Sequence, residues 1–301
     1  MKTIFIDCNE QLGSVWKRVY RPDDPPVTIN SVPFERSDLP KVVGDHEVAI
    51  DDHSYMPTDL VKQCRNLKHI VFLGTGAASY MNVAELEAIG VKVHTIKGYG
   101  DTAVAEQTVA MMFAAARDLA RMDRDIRRGT WQPREGMQLF GKTLGIVGLG
   151  GIGMEVARIA KGIGMTVIAW NRTPKPDAGV AMVDLDTLLA QSDVVSLNLV
   201  LNDETRGFLD ARRLARMKKG AILVNTARGA LVDESALLDA LRTGHIRHAG
   251  LDVFHNEPLK AGDPLALLDT TTLSAHAAFR TLEASMTLLR RALDIVKSVR
   301  G

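Results

Sequence analysis

Leu144-Gly145-Ile146-Val147-Gly148-Leu149-Gly150-Gly151-Ile152-Gly153 is the stretch that decides the fold. An apolar run of strand character ends at Val147, and a helix with Ile152, Val156, Ile159 and Ile163 on one face follows the glycines. The glycines match G-x-G-x-x-G, a common pattern by itself. Between a buried strand and such a helix it is the turn that takes the pyrophosphate of a dinucleotide. Gly148 allows the tight turn, Gly150 lets the phosphates approach the backbone, and Gly153 permits close helix–strand packing. The amides of Gly151 and Ile152, at the helix start, would hold the phosphates.

On either side of this turn, short β-rich runs alternate with helical patterns. Strands are expected at Thr166–Trp170, Val194–Leu199, Ala221–Asn225 and His248–Val253 after it, and at Thr3–Asp7, Glu47–Ile50, His69–Leu73 and Val91–Thr95 before it. Helices are expected at Pro57–Arg65, Val83–Ile89, Thr102–Arg121 and Thr281–Val299. Pro22, Pro25, Pro26, Pro33 and Pro40 make residues 20–40 mostly loop, and Gly129–Gly141 reads as a polar connector. The predicted fold is α/β: two Rossmann-like or flavodoxin-like doubly wound parallel-sheet domains with the active-site cleft between them.

Composition narrows the function. With 37 Lys+Arg against 36 Asp+Glu the net charge is +1, which leaves no basic excess for nucleic acid. The apolar start of the chain stops at Asp7, too early for a signal peptide, and no run is long enough to span a membrane. Two cysteines, Cys8 and Cys64, form neither a disulfide framework nor a zinc site, so no metal is expected and the chain fits a reducing, cytoplasmic compartment.

The strand after the glycine turn should end near the adenosine ribose, where NAD sites place an Asp or Glu. Here the chain reads Asn171-Arg172-Thr173-Pro174-Lys175. No carboxylate repels a 2′-phosphate there; Arg172 offers it a fork of donors, and Asn171 or Thr173 can add hydrogen bonds. NADP(H) is therefore expected to be preferred, with NAD(H) possible.

Three further segments suit hydride transfer to a carbonyl. Val224-Asn225-Thr226-Ala227-Arg228-Gly229 puts an arginine at a strand end, Leu251-Asp252-Val253-Phe254-His255-Asn256-Glu257-Pro258 supplies two carboxylates, and Leu273-Ser274-Ala275-His276 supplies a histidine among small residues. Hydride arriving at a ketone leaves an oxyanion, so a proton donor and a fixed positive charge are both required. A guanidinium also suits the carboxylate of a 2-oxo acid. His46, His53, His69, His94, His245, His248 and His255 lack such company and are read as structural.

At these residues the sequence resembles the D-isomer-specific 2-hydroxyacid dehydrogenases, most densely from Gly141 to Pro258. The resemblance implies that Arg228 binds the substrate carboxylate and polarises the 2-oxo group, and that His276 is the general acid, paired with Glu257. It implies that Asp252 orients the nicotinamide carboxamide, with Thr226 and Ala227 also at the cofactor. Gly74-Thr75-Gly76-Ala77 is similar to the loop whose amides grip the substrate carboxylate. The substrate is thus a 2-oxo or 2-hydroxy acid. Ala275 stands where the family usually has Pro, and Ala77-Ala78 follows Gly76 where many members have Asp-Asn. Tyr80 or Met81 would narrow the pocket, which points to glyoxylate or hydroxypyruvate, and Phe279 and Arg280 would line it.

Residues 1–100 plus 275–301 are expected to form the substrate domain and 101–274 the dinucleotide domain, with hinges near Gly98–Thr102 and Ser274–Arg280. The helix Thr102–Leu119 resembles the part used for dimerisation, so a homodimer is expected. No regulatory domain is expected after Gly301. Two other functions remain open on the same fold: a dinucleotide-sensing corepressor, and a phosphite- or formate-type dehydrogenase.

Overall fold

The computed structural model describes residues 1–175 and 178–300. The chain forms two compact units, residues 1–100 with 280–301, and residues 101–279.

The first unit is built on five parallel strands, β1 (Thr3–Phe5), β2 (Val27–Ile29), β3 (Val48–Asp51), β4 (His69–Phe72) and β5 (Lys92–Thr95), in the order β2-β1-β3-β4-β5. Successive side chains point to opposite faces, so Ile4, Ala49, Ile70 and Phe72 enter one core while Phe5, Val48, Ile50 and Val71 enter the other. The second core is closed by the helices Glu10–Val19 and Leu282–Val299, through Trp16, Val19, Leu289, Leu293 and Val296. The helix Glu10–Val19 has no counterpart among the sequence expectations. It starts where Asn9 Oδ1 accepts the Leu12 amide at 2.9 Å. The proline-rich segment contributes β2, an edge strand whose side chains are largely solvent-facing, so it carries no apolar alternation.

The second unit holds seven parallel strands: β6 (Thr143–Val147), β7 (Thr166–Trp170), β8 (Ala181–Met182), β9 (Val194–Leu197), β10 (Ala221–Asn225), β11 (Ile246–Leu251) and β12 (Thr271–Leu273). Their order is β12-β11-β10-β9-β6-β7-β8. The chain runs outward from β6 to β8, then returns beside β6 and runs outward the other way. The order therefore reverses between β6 and β9, where open α/β sheets bind ligands beyond the strand ends. β8 and β12, at two and three residues, are too short to show a period.

The long helix expected over Thr102–Arg121 is two helices, Asp101–Ala116 and Leu119–Arg127. Asp118 breaks it in the left-handed region (φ 53°) and turns its carboxylate to the buried His248, 3.2 Å from Nδ1. Thr272 Oγ1 meets the other ring nitrogen at 3.0 Å. Burial pushes this imidazole down to about 4 despite Asp118, so it is neutral near pH 7. The chain returns to the first unit at Arg280 rather than at residue 275, because residues 276–278 are hydrogen-bonded to Asp252.

Candidate active site

The glycine turn follows β6, and its shape accounts for each glycine. Gly148 has φ +99°, and a Cβ on it would lie 2.6 Å from the Asn198 carbonyl oxygen. A Cβ on Gly153 would lie 2.3 Å from the Gly148 carbonyl, so helix and turn touch through backbone alone. A Cβ on Gly150 would meet nothing within 4 Å. That is the open approach a pyrophosphate requires, and the helix Gly151–Gly162 begins there with no side-chain cap. Asn198 Oδ1, beside the turn, is buried and unpaired among the described residues. The residues present fit a dinucleotide. Ile152 faces the core of this unit. Gly151 meets a residue the sequence did not flag: Asp101 Oδ2 lies 1.9 Å from where a Gly151 Cβ would stand, a contact made across two helices and invisible in local pattern.

The segment after β7 is fastened to the turn. Asn171 Oδ1 accepts the Leu149 amide at 3.1 Å, and Lys175 Nζ donates to the Leu149 carbonyl at 2.9 Å. Asn171 Nδ2 donates to the Thr173 carbonyl at 2.7 Å. Arg172 projects from this segment and pairs with Glu204.

Three neighbouring strands of the sheet deliver the other groups from their C-terminal ends: Arg228 after β10, Glu257 after β11, His276 after β12. Asn225 builds the first of these turns, accepting the Ala227 amide at 3.0 Å and donating to the Arg228 carbonyl at 2.9 Å. Arg228 Nη1 donates to the Ala227 carbonyl at 2.6 Å. A Cβ on Gly229 would sit 2.1 Å from the Phe254 carbonyl carbon, so only glycine lets the Arg228 turn press against the loop that carries Glu257. Thr226 is buried and shares a 2.7 Å hydrogen bond with Thr108, so its hydroxyl faces the interior and its main chain is the part left to a cofactor.

His276 Nδ1 lies 2.6 Å from Glu257 Oε2. A carboxylate only accepts, so Nδ1 carries the proton of this bond and Nε2 is left for substrate. Glu257 Oε1 accepts the Phe254 amide at 2.9 Å. Burial pushes the Glu257 carboxyl up, but the bonds from His276 and Phe254 and the positive charges of His276 and Arg228 outweigh it and hold the group below its usual range. Glu257 is thus an anion at neutral pH. The ring of Phe279 stands edge-on to the imidazole, centroids 6.3 Å apart.

Asp252 directly follows β11. It is fully buried, and its carboxylate accepts Ser274 Oγ at 2.5 Å and the amides of Ala277 and Ala278 at 3.0 and 2.9 Å. Its carbonyl accepts the His276 amide at 2.8 Å. It holds the turn in which His276 takes φ 47°, a conformation uncommon outside glycine. His255 is tied at 2.8 Å to the Val232 carbonyl.

In the first unit, Gly74–Ala77 follows β4, and the 3-10 turn Ala77–Ser79 begins with amides that have no intrahelical partner. Tyr80 is half-buried against Phe72 and His53, with centroids at 5.4 and 5.1 Å. Met81 is 5% exposed and belongs to the hydrophobic core, so the expectation that it narrows a pocket is corrected.

Residues 109–278 match the family model described as the D-isomer specific 2-hydroxyacid dehydrogenase, NAD binding domain. A hydroxypyruvate reductase of Thermotoga maritima is 35% identical over 277 residues, covering 90% of this chain and 89% of that one. The chain belongs to the D-isomer-specific 2-hydroxyacid dehydrogenases. It is thus one of a family of hydride-transferring enzymes that use a nicotinamide dinucleotide. A D-3-phosphoglycerate dehydrogenase of Archaeoglobus fulgidus is 34% identical over 89% of this chain, but that match spans only 52% of the longer archaeal protein. A crystal structure of a Thermus thermophilus protein superposes with TM-score 0.89 at 31% identity, over 100% of this chain and 97% of that one.

Proposed function

We propose that this dehydrogenase reduces a small 2-oxo acid, such as glyoxylate or hydroxypyruvate, at C2 and prefers NADP(H). The observation that carries the reading is the 2.6 Å His276–Glu257 pair on the strands next to Arg228. When bound, the nicotinamide supplies the hydride. Arg228 takes the substrate carboxylate and draws charge towards the 2-oxo oxygen. His276 gives its Nε2 proton to that oxygen as negative charge builds, while Glu257 holds Nδ1 and stabilises the imidazolium beforehand. In the reverse direction the same nitrogen takes the hydroxyl proton.

Tyr80 beside the Gly74–Ala77 loop favours a small substrate side chain, and the absence of a carboxylate at Asn171 favours the 2′-phosphate. A panel of 2-oxo acids assayed with NADPH and NADH tests both. The highest kcat/KM is expected for glyoxylate or hydroxypyruvate with NADPH; preference for branched or aromatic acids, or for NADH, would overturn the corresponding half. A cytoplasmic location is the proposed compartment, since Cys8 and Cys64 are both buried as free thiols.

A homodimer is the proposed assembly, with its surface shifted from the one expected. Most apolar residues of Asp101–Ala116, such as Val109, Met112 and Ala115, are buried in their own unit. Phe113 in that helix is exposed, and the most exposed apolar side chains follow it: Ile126, Trp131 at 87% and Phe140 at 70% exposed. Light scattering after gel filtration should give twice the chain mass, and Trp131→Asp with Phe140→Asp should give a monomer. A monomeric wild type at micromolar concentration would refute it.

A further inference from the structure

The strand order places β6 between β9 and β7, so the loops after β9 and β7 flank the glycine turn on its two sides. Arg172 comes from one of these loops and Glu204 from the other, and they form an ion pair across the turn. Both ends are mounted rigidly. Asn171 and Lys175 fasten the Arg172 segment to Leu149. On the other side, the Thr205 amide donates to Asn202 Oδ1 at 3.0 Å, its Oγ1 donates to the Val200 carbonyl at 2.7 Å, and the Arg206 amide donates to the Asn202 carbonyl at 2.9 Å. Glu204 is thus presented by a turn that is itself hydrogen-bonded.

The adenosine ribose of a dinucleotide on this turn lies beyond the end of β7, next to the pair. The end of β7 supplies no carboxylate for a ribose hydroxyl, whereas Glu204 brings one from across the turn. We propose that Glu204 tunes cofactor choice by competing with the 2′-phosphate for Arg172. Resting on the reading of Arg172 as the partner of a 2′-phosphate, this adds a competitor. Without that phosphate Glu204 holds Arg172 and offers the 2′-hydroxyl an acceptor. With it, the phosphate must take Arg172 away from Glu204 and sit beside a like charge. The pair is three-quarters exposed at Arg172 and 70% exposed at Glu204, so it is easily separated, and the competition tunes selectivity without forbidding either cofactor.

The test compares affinities of adenosine 2′,5′-bisphosphate and 5′-ADP by calorimetry at low ionic strength, in wild type, Glu204→Gln, Arg172→Gln and the double variant, with circular dichroism to check folding. Glu204→Gln should raise the ratio favouring the 2′-phosphate about tenfold, and this gain should shrink in the Arg172→Gln background, where only the like-charge repulsion and the acceptor for the 2′-hydroxyl remain to be lost. Glu204→Ala should act in the same direction. An unchanged ratio in both Glu204 variants, while Arg172→Gln weakens the bisphosphate, overturns the role of Glu204 and leaves the NADP(H) reading standing. If Arg172→Gln does not weaken the bisphosphate relative to ADP, the reading of Arg172 falls, and the competition proposed for Glu204 falls with it.

Discussion

His276→Gln is expected to lower kcat about a thousandfold with either cofactor, the scale on which a positioned general acid contributes. Glutamine keeps a polar side chain of similar reach but carries no labile proton. The hydride would then arrive at a carbonyl whose oxygen has only Arg228 to stabilise it. Because Arg228 and the glycine turn stand on other strands of the sheet, cofactor affinity measured by nucleotide fluorescence should stay within a fewfold of wild type. Glu257→Gln should be milder, since it leaves the imidazole in place and removes only the anion that holds Nδ1 at 2.6 Å. Near-normal turnover in His276→Gln, at substrate saturation and with cofactor bound, would remove the general-acid role.

How much of this site the sequence could show depended on whether a residue's environment was local. Gly148, Gly150 and Gly153 were legible because the turn, its strand and its helix are contiguous and carry the motif; the close approach at Gly153 falls within that segment, whereas the one at Gly148 is to Asn198, after β9. The strands β6, β7, β9 and β10 were legible because buried parallel strands read as near-continuous apolar runs, whereas β11, which carries Arg247 and His248, begins two residues before its expected start. The break at Asp118 was not, since the partner that draws it out, His248, lies far along the chain on β11. Met81 read as a pocket residue from its place after the loop, yet the core behind β4 takes its side chain. The pairing of Arg172 with Glu204 and the contact of Asp101 with Gly151 depend on strand order and helix packing, which no local pattern encodes.

Asp252→Ala should unfold the protein at a lower temperature and should also cut kcat, and the two effects together separate two roles for this residue. If Asp252 served only to orient the cofactor, its loss would weaken cofactor binding and leave melting of the cofactor-free protein nearly unchanged. The structure has its carboxylate buried with three donors, Ser274 Oγ and the amides of Ala277 and Ala278. Alanine leaves those donors without an acceptor, and each buried donor so orphaned costs about 1–3 kcal/mol. Relaxation of the turn recovers part of this, so a net loss of about 3 kcal/mol is expected, or roughly 6–12 °C in Tm. Relaxation is what damages catalysis, because His276 keeps φ 47° only while its neighbours are held. Once the turn is released, the imidazole can leave Glu257, and kcat should fall about a hundredfold, with 5′-ADP affinity unchanged because the glycine turn is untouched. An unchanged Tm in the absence of cofactor would show that the three hydrogen bonds do not hold the turn.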